Sequence, residues 1–180
     1  MTESSRLLFK LLSVLLHYPD SLLMDSLGEI EALSAEVSQR CEELIGGSFL
    51  PYLRATPLLR AQEYYTRTFD LSPTTCLYLS WHRLGESKER GAELARLSGL
   101  YRSEGLECVA EDLPDYLPMI LEFASICPGD GGLELLRDFS PEIEKLRLRL
   151  KESQSPYEVL FALLSEVESL ASGQSSKERL

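Results

Sequence analysis

The chain has 180 residues, enough for one domain and at most two, and a domain of this size removes roughly 70% of its unfolded surface from water without needing metal or disulfide. Its 44% apolar and 26% charged residues exclude wholesale disorder. With 29 acids against 18 bases the net charge is −11, which excludes a nucleic-acid surface, because phosphate binding rests on clustered Lys and Arg.

Apolar residues recur at spacings of three and four almost throughout, the period of an amphipathic helix, while sustained alternation is nearly absent. The fold class expected is all-α, a single-domain bundle of about nine helices over residues 1–172, with 173–180 as a frayed tail. The first helix is expected near 3–17. It lacks the layout of a signal peptide, and its apolar run Leu11 to Leu16 is too short to span a bilayer, so no membrane insertion is expected. A second helix over 21–45 follows from Leu27, Ile30, Leu33, Val37, Cys41 and Leu44. Gly46-Gly47, in a segment with two prolines nearby, is a candidate hinge for helix exchange in a homodimer.

Helices near 57–69, 73–84, 141–152 and 156–171 each follow a hydroxyl residue and a proline: Thr56-Pro57, Ser72-Pro73, Ser140-Pro141 and Ser155-Pro156. A hydroxyl at the N-cap satisfies an orphan backbone N–H, and proline's fixed φ suits the first helical position. Glu158, three residues after Ser155, would complete a capping box. Gly85 and Gly105 are expected to stop the helices near 73–84 and 87–104, and Leu106 to Val109 is too short an alternation to be a strand. Helices near 113–127 and 132–138 flank the loop Pro128 to Gly132.

Catalytic chemistry finds little support. Cys41, Cys76, Cys108 and Cys127 form no CxxC pair and fit free core thiols in a reducing cytoplasm. His17 and His82 have no ligand at metal spacing and are expected to be structural or exposed. Glu111, Asp112 and Asp115 gather where a helix is expected to start, which the helix dipole favours whatever the function. Around them Leu113, Pro114, Tyr116, Leu117, Pro118 and Met119 form an acidic, apolar mixture suited to gripping a basic amphipathic peptide. Tyr64, Tyr65, Phe69, Tyr78 and Trp81 make a second aromatic stretch, a pattern that fits a core as readily as a groove.

These stretches resemble the NarJ family, the assembly chaperones of respiratory nitrate reductase, within the wider TorD and DmsD types that serve molybdopterin oxidoreductases. The resemblance is carried by Leu15-Leu16-His17-Tyr18-Pro19-Asp20, by Tyr65 with Thr68-Phe69-Asp70, and by His82 with Gly85-Glu86 and Arg90-Gly91. It continues through Tyr101 with Gly105-Leu106, Leu113-Pro114-Asp115-Tyr116-Leu117-Pro118 with Leu121-Glu122-Phe123, and Ser155-Pro156-Tyr157 with Leu160-Phe161. It implies a TorD/NarJ-like helical fold, no enzymatic activity, and a cytoplasmic chaperone that binds the N-terminal segment of a catalytic subunit before that enzyme reaches the membrane. It also implies help with cofactor insertion, with no permanently bound cofactor and only transient contact with molybdopterin.

Candidate client contacts are Tyr64, Tyr65, Phe69, Tyr78, Trp81 and His82 in one stretch, and Asp112, Asp115, Tyr116, Met119 and Phe123 in the other. Asp112 stands where many members carry Glu, and Tyr116 where others carry His. The chain also ends soon after its last expected helix, without the extension many nitrate reductase chaperones carry, so another molybdopterin oxidoreductase is an alternative client. Two rival readings stay open: a small cofactor-handling enzyme using Glu111, Asp112 or Asp115, and a passive helical scaffold.

Overall fold

In the computed structural model residues 1–106 and 112–174 are described, with side chains through 166. Cys108, Glu111 and the alternation after Leu106 lie outside the described residues. Twelve α-helical segments and two π-helical ones make up the described fold, and their buried apolar residues form one core cluster.

Helix α1 (Glu3–Leu15) is capped by Thr2, whose hydroxyl accepts from the Ser5 amide at 3.1 Å. Leu8, Leu11, Leu12 and Leu15 recur on its buried face, which packs along α9 (Leu117–Ile126). Helix α9 is the centre of the core, with Leu117, Ile120, Leu121 and Ala124 wholly buried. Across it runs α10 (Gly131–Asp138), and a Cβ at Gly132 would fall 2.3 Å from Ala124 Cα, so only glycine allows this crossing. Helices α11 (Ser140–Glu152) and α12 (Glu158–Gln174) pair beside them.

Several expected boundaries move. The helix expected over 21–45 divides into α2 (Ser21–Asp25), α3 (Leu27–Val37) and α4 (Gln39–Cys41). Asp20 caps the start of α2 by accepting from the Leu23 amide; the first break, at Ser26, has no side-chain cap, and at the second Ser38, in extended conformation, accepts from the Cys41 amide. Helix α4 then runs without interruption through a π-helical segment (Glu42–Phe49) into α5 (Leu50–Ala55). Gly46-Gly47 therefore lies inside a helix and is no hinge; burial of Ile45, Phe49, Leu50 and Leu53 outweighs the poor helix propensity of glycine.

Helix α6 (Leu58–Tyr65) continues as a π-helical turn (Thr66–Asp70), closed by the Leu71 amide on the Thr66 carbonyl at 2.9 Å. Helix α7 (Leu79–Leu84) is far shorter than the expected 73–84, and α9 begins at Leu117 rather than near 113. Helix α8 (Lys88–Ser103) matches its expected span, and Gly85 (φ 56°) and Gly105 (φ 78°) both adopt the left-handed region that suits glycine at helix ends.

Of the four hydroxyl–proline pairs, only Ser155 makes a cap bond from its side chain. The Thr56 hydroxyl turns back to the Tyr52 carbonyl (2.7 Å), and Ser72 bonds the hydroxyls of Thr74 and Thr75 in a turn. Ser140 follows α10 across Phe139 alone, so it enters α11 already helical and makes no side-chain cap. Ser155 Oγ accepts from Tyr157 N at 3.4 Å, whereas the Glu158 carboxylate pairs with Arg147 at 3.0 Å instead of closing a box.

Candidate functional site

The two aromatic stretches meet through backbone. Tyr78 and Tyr116 form an isolated antiparallel bridge, in which the Leu79 amide donates to the Asp115 carbonyl (3.0 Å) and the Leu117 amide to the Leu77 carbonyl (2.8 Å). This pairing commits the Leu77 and Asp115 carbonyls across the chain rather than along it, while the Thr75 and Tyr116 amides close local turns on Ser72 and Leu113, so neither stretch runs on as a helix.

Beneath the bridge Asp115 is fully buried. Its Oδ2 accepts from the Ser80 amide (3.2 Å), the Ser80 hydroxyl and Arg90 Nη2 (3.4 Å), while Oδ1 is buried without a partner. Arg90 also bonds Ser80 Oγ at 3.1 Å and lies over the Trp81 ring at 5.7 Å. Asp115 thus does not cap the helix that follows it and does not reach the surface; it satisfies a first-turn amide of α7 and locks α7 and α8 to the Leu-Pro-Asp-Tyr corner.

Above the bridge the rings gather. Tyr116 is 8% exposed, and its hydroxyl lies 2.9 Å from that of Tyr65, which in turn donates to the Leu16 carbonyl at 2.8 Å. Because Tyr65 has one proton, Tyr116 must be the donor between them. Tyr65 packs edge-on against Phe69 (4.9 Å) and Tyr18 (5.5 Å); Tyr116 faces Tyr78 (5.4 Å) and meets His17 edge-on (5.8 Å). Burial raises the hydroxyls of Tyr78 and Tyr116 to about 12, with the Asp112 charge adding to both. Burial lowers the His17 imidazole against the opposing pull of Glu122 and Asp112.

These groups line a cleft of about 300 Å³. Asp112, which accepts from the Tyr78 hydroxyl at 3.2 Å, and the exposed Asp70 border it. His17 and Tyr18 also line a second, more apolar groove of about 410 Å³ between α1, α2 and α3, where Leu11, Val14, Leu22, Leu23, Ile30 and Leu33 contribute. His17 and Tyr18 are common to the linings of the two.

Of the expected contact residues, Tyr65, Phe69, Tyr78, Asp112 and Tyr116 come together here. The rest lie elsewhere. Tyr64 stacks on Tyr157 (6.3 Å) beside a separate polar depression, and Phe123 packs on Tyr101 (4.7 Å) in the core. Trp81 Nε1 donates to the Pro73 carbonyl (3.1 Å) and His82 Nε2 bonds the Cys76 carbonyl (2.7 Å), so both hold the 73–78 segment in place. Met119 is half-buried against the core. Of the cysteines, Cys41 and Cys127 are buried free thiols, whereas Cys76 is only half-buried.

Sequence reasoning left His17, Tyr18 and the α1–α3 groove unassigned. The available signal was an aromatic residue followed by Pro19 immediately beyond α1, within a stretch already singled out for its resemblance. No helix among the described residues is long and apolar enough to cross a membrane.

Residues 30–162 match the model of the nitrate reductase delta subunit family. The chain is 36% identical over 163 residues to Escherichia coli K12 NarJ, named a nitrate reductase molybdenum cofactor assembly chaperone, covering 89% of this chain and 69% of that protein. It is 31% identical over 173 residues to Bacillus subtilis NarJ, covering 94% and 92%. A crystal structure of an Archaeoglobus fulgidus protein, described as a redox enzyme maturation protein, superposes with TM-score 0.65 at 25% identity over 90% of this chain and 92% of that one. With the family model spanning most of the chain and these relatives covering nearly all of it, the protein belongs to the nitrate reductase delta subunit family.

Proposed function

We propose that this protein is a non-catalytic, cytoplasmic assembly chaperone that holds the N-terminal segment of a molybdopterin oxidoreductase catalytic subunit, of the nitrate reductase kind, while that subunit receives its cofactor. The segment lies as an amphipathic helix across the two grooves that share His17 and Tyr18. Molybdopterin is cargo of the client, met only transiently. The names of the relatives support a chaperone role and a nitrate reductase client.

The observation that carries the reading is that, among the described residues, four of the seven exposed large apolar side chains fall at or beside the grooves. Tyr18 (48% exposed) and Leu22 (71%) line the grooves, and Leu71 (74%) and Leu113 (41%) directly follow the acids Asp70 and Asp112 of the cleft. Solvent-facing apolar groups next to a concave surface mark an interaction site. Burying three or four such anchors contributes about 5–10 kcal/mol before ordering costs, which suits a releasable micromolar complex.

Titration calorimetry with the catalytic subunit's N-terminal peptide tests this. Tyr18→Ala and Leu22→Asp should each weaken binding tenfold or more at unchanged urea stability; unchanged affinity in both would remove the groove from the reading.

A further inference from the structure

We infer that the cleft beside the Tyr78–Tyr116 bridge is a seat for a single guanidinium side chain, taken between aromatic rings and the carboxylates of Asp70 and Asp112. The inference rests on the chaperone reading and names what one end of the bound segment must carry.

Aromatic rings dominate the walls of the cleft. Five of its lining residues carry phenyl or phenol rings: Tyr18, Tyr65, Phe69, Tyr78 and Tyr116. Ring faces attract cations, and guanidinium, being planar and weakly hydrated, stacks on them better than ammonium does. About 300 Å³ holds one long side chain and no helical turn, so the cleft suits an anchor rather than a whole segment.

The charges fit the same occupant. Among the described residues neither Asp70 nor Asp112 forms an ion pair. Lys10, the base on the neighbouring groove, is engaged by Glu122 at 2.6 Å. Burial disfavours the cationic form of His17, so the imidazole does not fill the place of a cation. The same two carboxylates disfavour ionisation of both Tyr78 and Tyr116, the effect of a negative potential in the cleft. Among the described residues an incoming cation meets that potential without displacing a resident base.

The apolar groove and the cleft share His17 and Tyr18 in their linings. A helix with an arginine three or four positions from an apolar residue would therefore engage both at once.

Ethylguanidinium is the probe for the full chain, with N-ethylurea as neutral isostere at matched ionic strength, followed by amide NMR shifts. Saturable shifts at Leu77, Tyr78 and Tyr116 with ethylguanidinium alone, weakened at least tenfold in the Asp70→Asn/Asp112→Asn double variant, are expected. Asparagine keeps an acceptor for the Tyr78 hydroxyl, so folding is preserved. Equal shifts from N-ethylurea, or undiminished binding in the double variant, would overturn the seat. Leader-peptide affinity that survives in the double variant but falls in Leu22→Asp would overturn the seat while leaving the groove standing.

Discussion

The hydroxyl of Tyr116 donates to that of Tyr65 across 2.9 Å, and Tyr65 hands its own proton to the carbonyl of Leu16 at the end of α1. One relay thereby ties three segments that are remote in sequence, and the candidate site is built around it.

The relay makes the two tyrosines unequal. Tyr65→Phe removes both bonds and strands a buried Tyr116 hydroxyl, so unfolding in urea should show a loss of about 1–3 kcal/mol. Tyr116→Phe removes one bond and leaves Tyr65 donating to Leu16, for a loss of about 1 kcal/mol. Equal losses would contradict the direction of the relay.

Asp115 acts through position. Asp115→Ala leaves Arg90 and both Ser80 donors without their acceptor and should cost about 2–4 kcal/mol of stability in urea. Asp115→Asn keeps an oxygen acceptor and should cost less. Calorimetry below the melting temperature should find leader-peptide affinity unchanged in Asp115→Asn, because the side chain is wholly buried. A selective loss of affinity at full stability would return Asp115 to the contact surface.

The crossing of α9 and α10 has no room for a methyl group. Gly132→Ala sets a carbon 2.3 Å from Ala124 Cα and 2.8 Å from its Cβ, so the helices must separate. Overpacking of this kind costs about 1–3 kcal/mol, and for a chain of this length each kcal/mol lowers the melting temperature by about 2–4 °C. Gly129→Ala, in open space, is the control expected to melt with the parent.

Both histidines make stability depend on pH. Burial holds His17 and His82 below the ordinary imidazole value of 6.5 in the folded state. The unfolded chain therefore binds more protons, and stability contributed above pH 6.5 is lost as pH falls through the folded values. The urea midpoint should drop between pH 7.5 and 5.5, and less steeply in His17→Gln and His82→Gln. A parallel drop in all three proteins would assign the slope to carboxylates.

Helical content was legible along the chain because an amphipathic helix repeats its own pattern. The buried face of α1, with Leu8, Leu12 and Leu15 at helical spacing, needs no knowledge of what covers it. Gly85 and Gly105 were equally legible, since a helix end with positive φ asks for a residue without Cβ. Three of the hydroxyl–proline pairs misled because a side-chain oxygen and an N1 proline only permit a helix start; Thr56 and Ser72 found other partners once the chain had folded, and Ser140 sits already inside α11.

The site depended on pairing across distance. Residues 73–78 and 112–116 carry helical signals locally, yet each exchanges them for the Tyr78–Tyr116 bridge, because that bridge satisfies backbone groups of both stretches at once. Which aromatics then face the cleft and which sink into the core follows from that bridge and from the end of α1 lying against it. Composition marked the rings and acids as candidates; contact between elements dozens of residues apart separated Tyr78 and Asp112, which border open space, from Phe123 and Asp115, which do not.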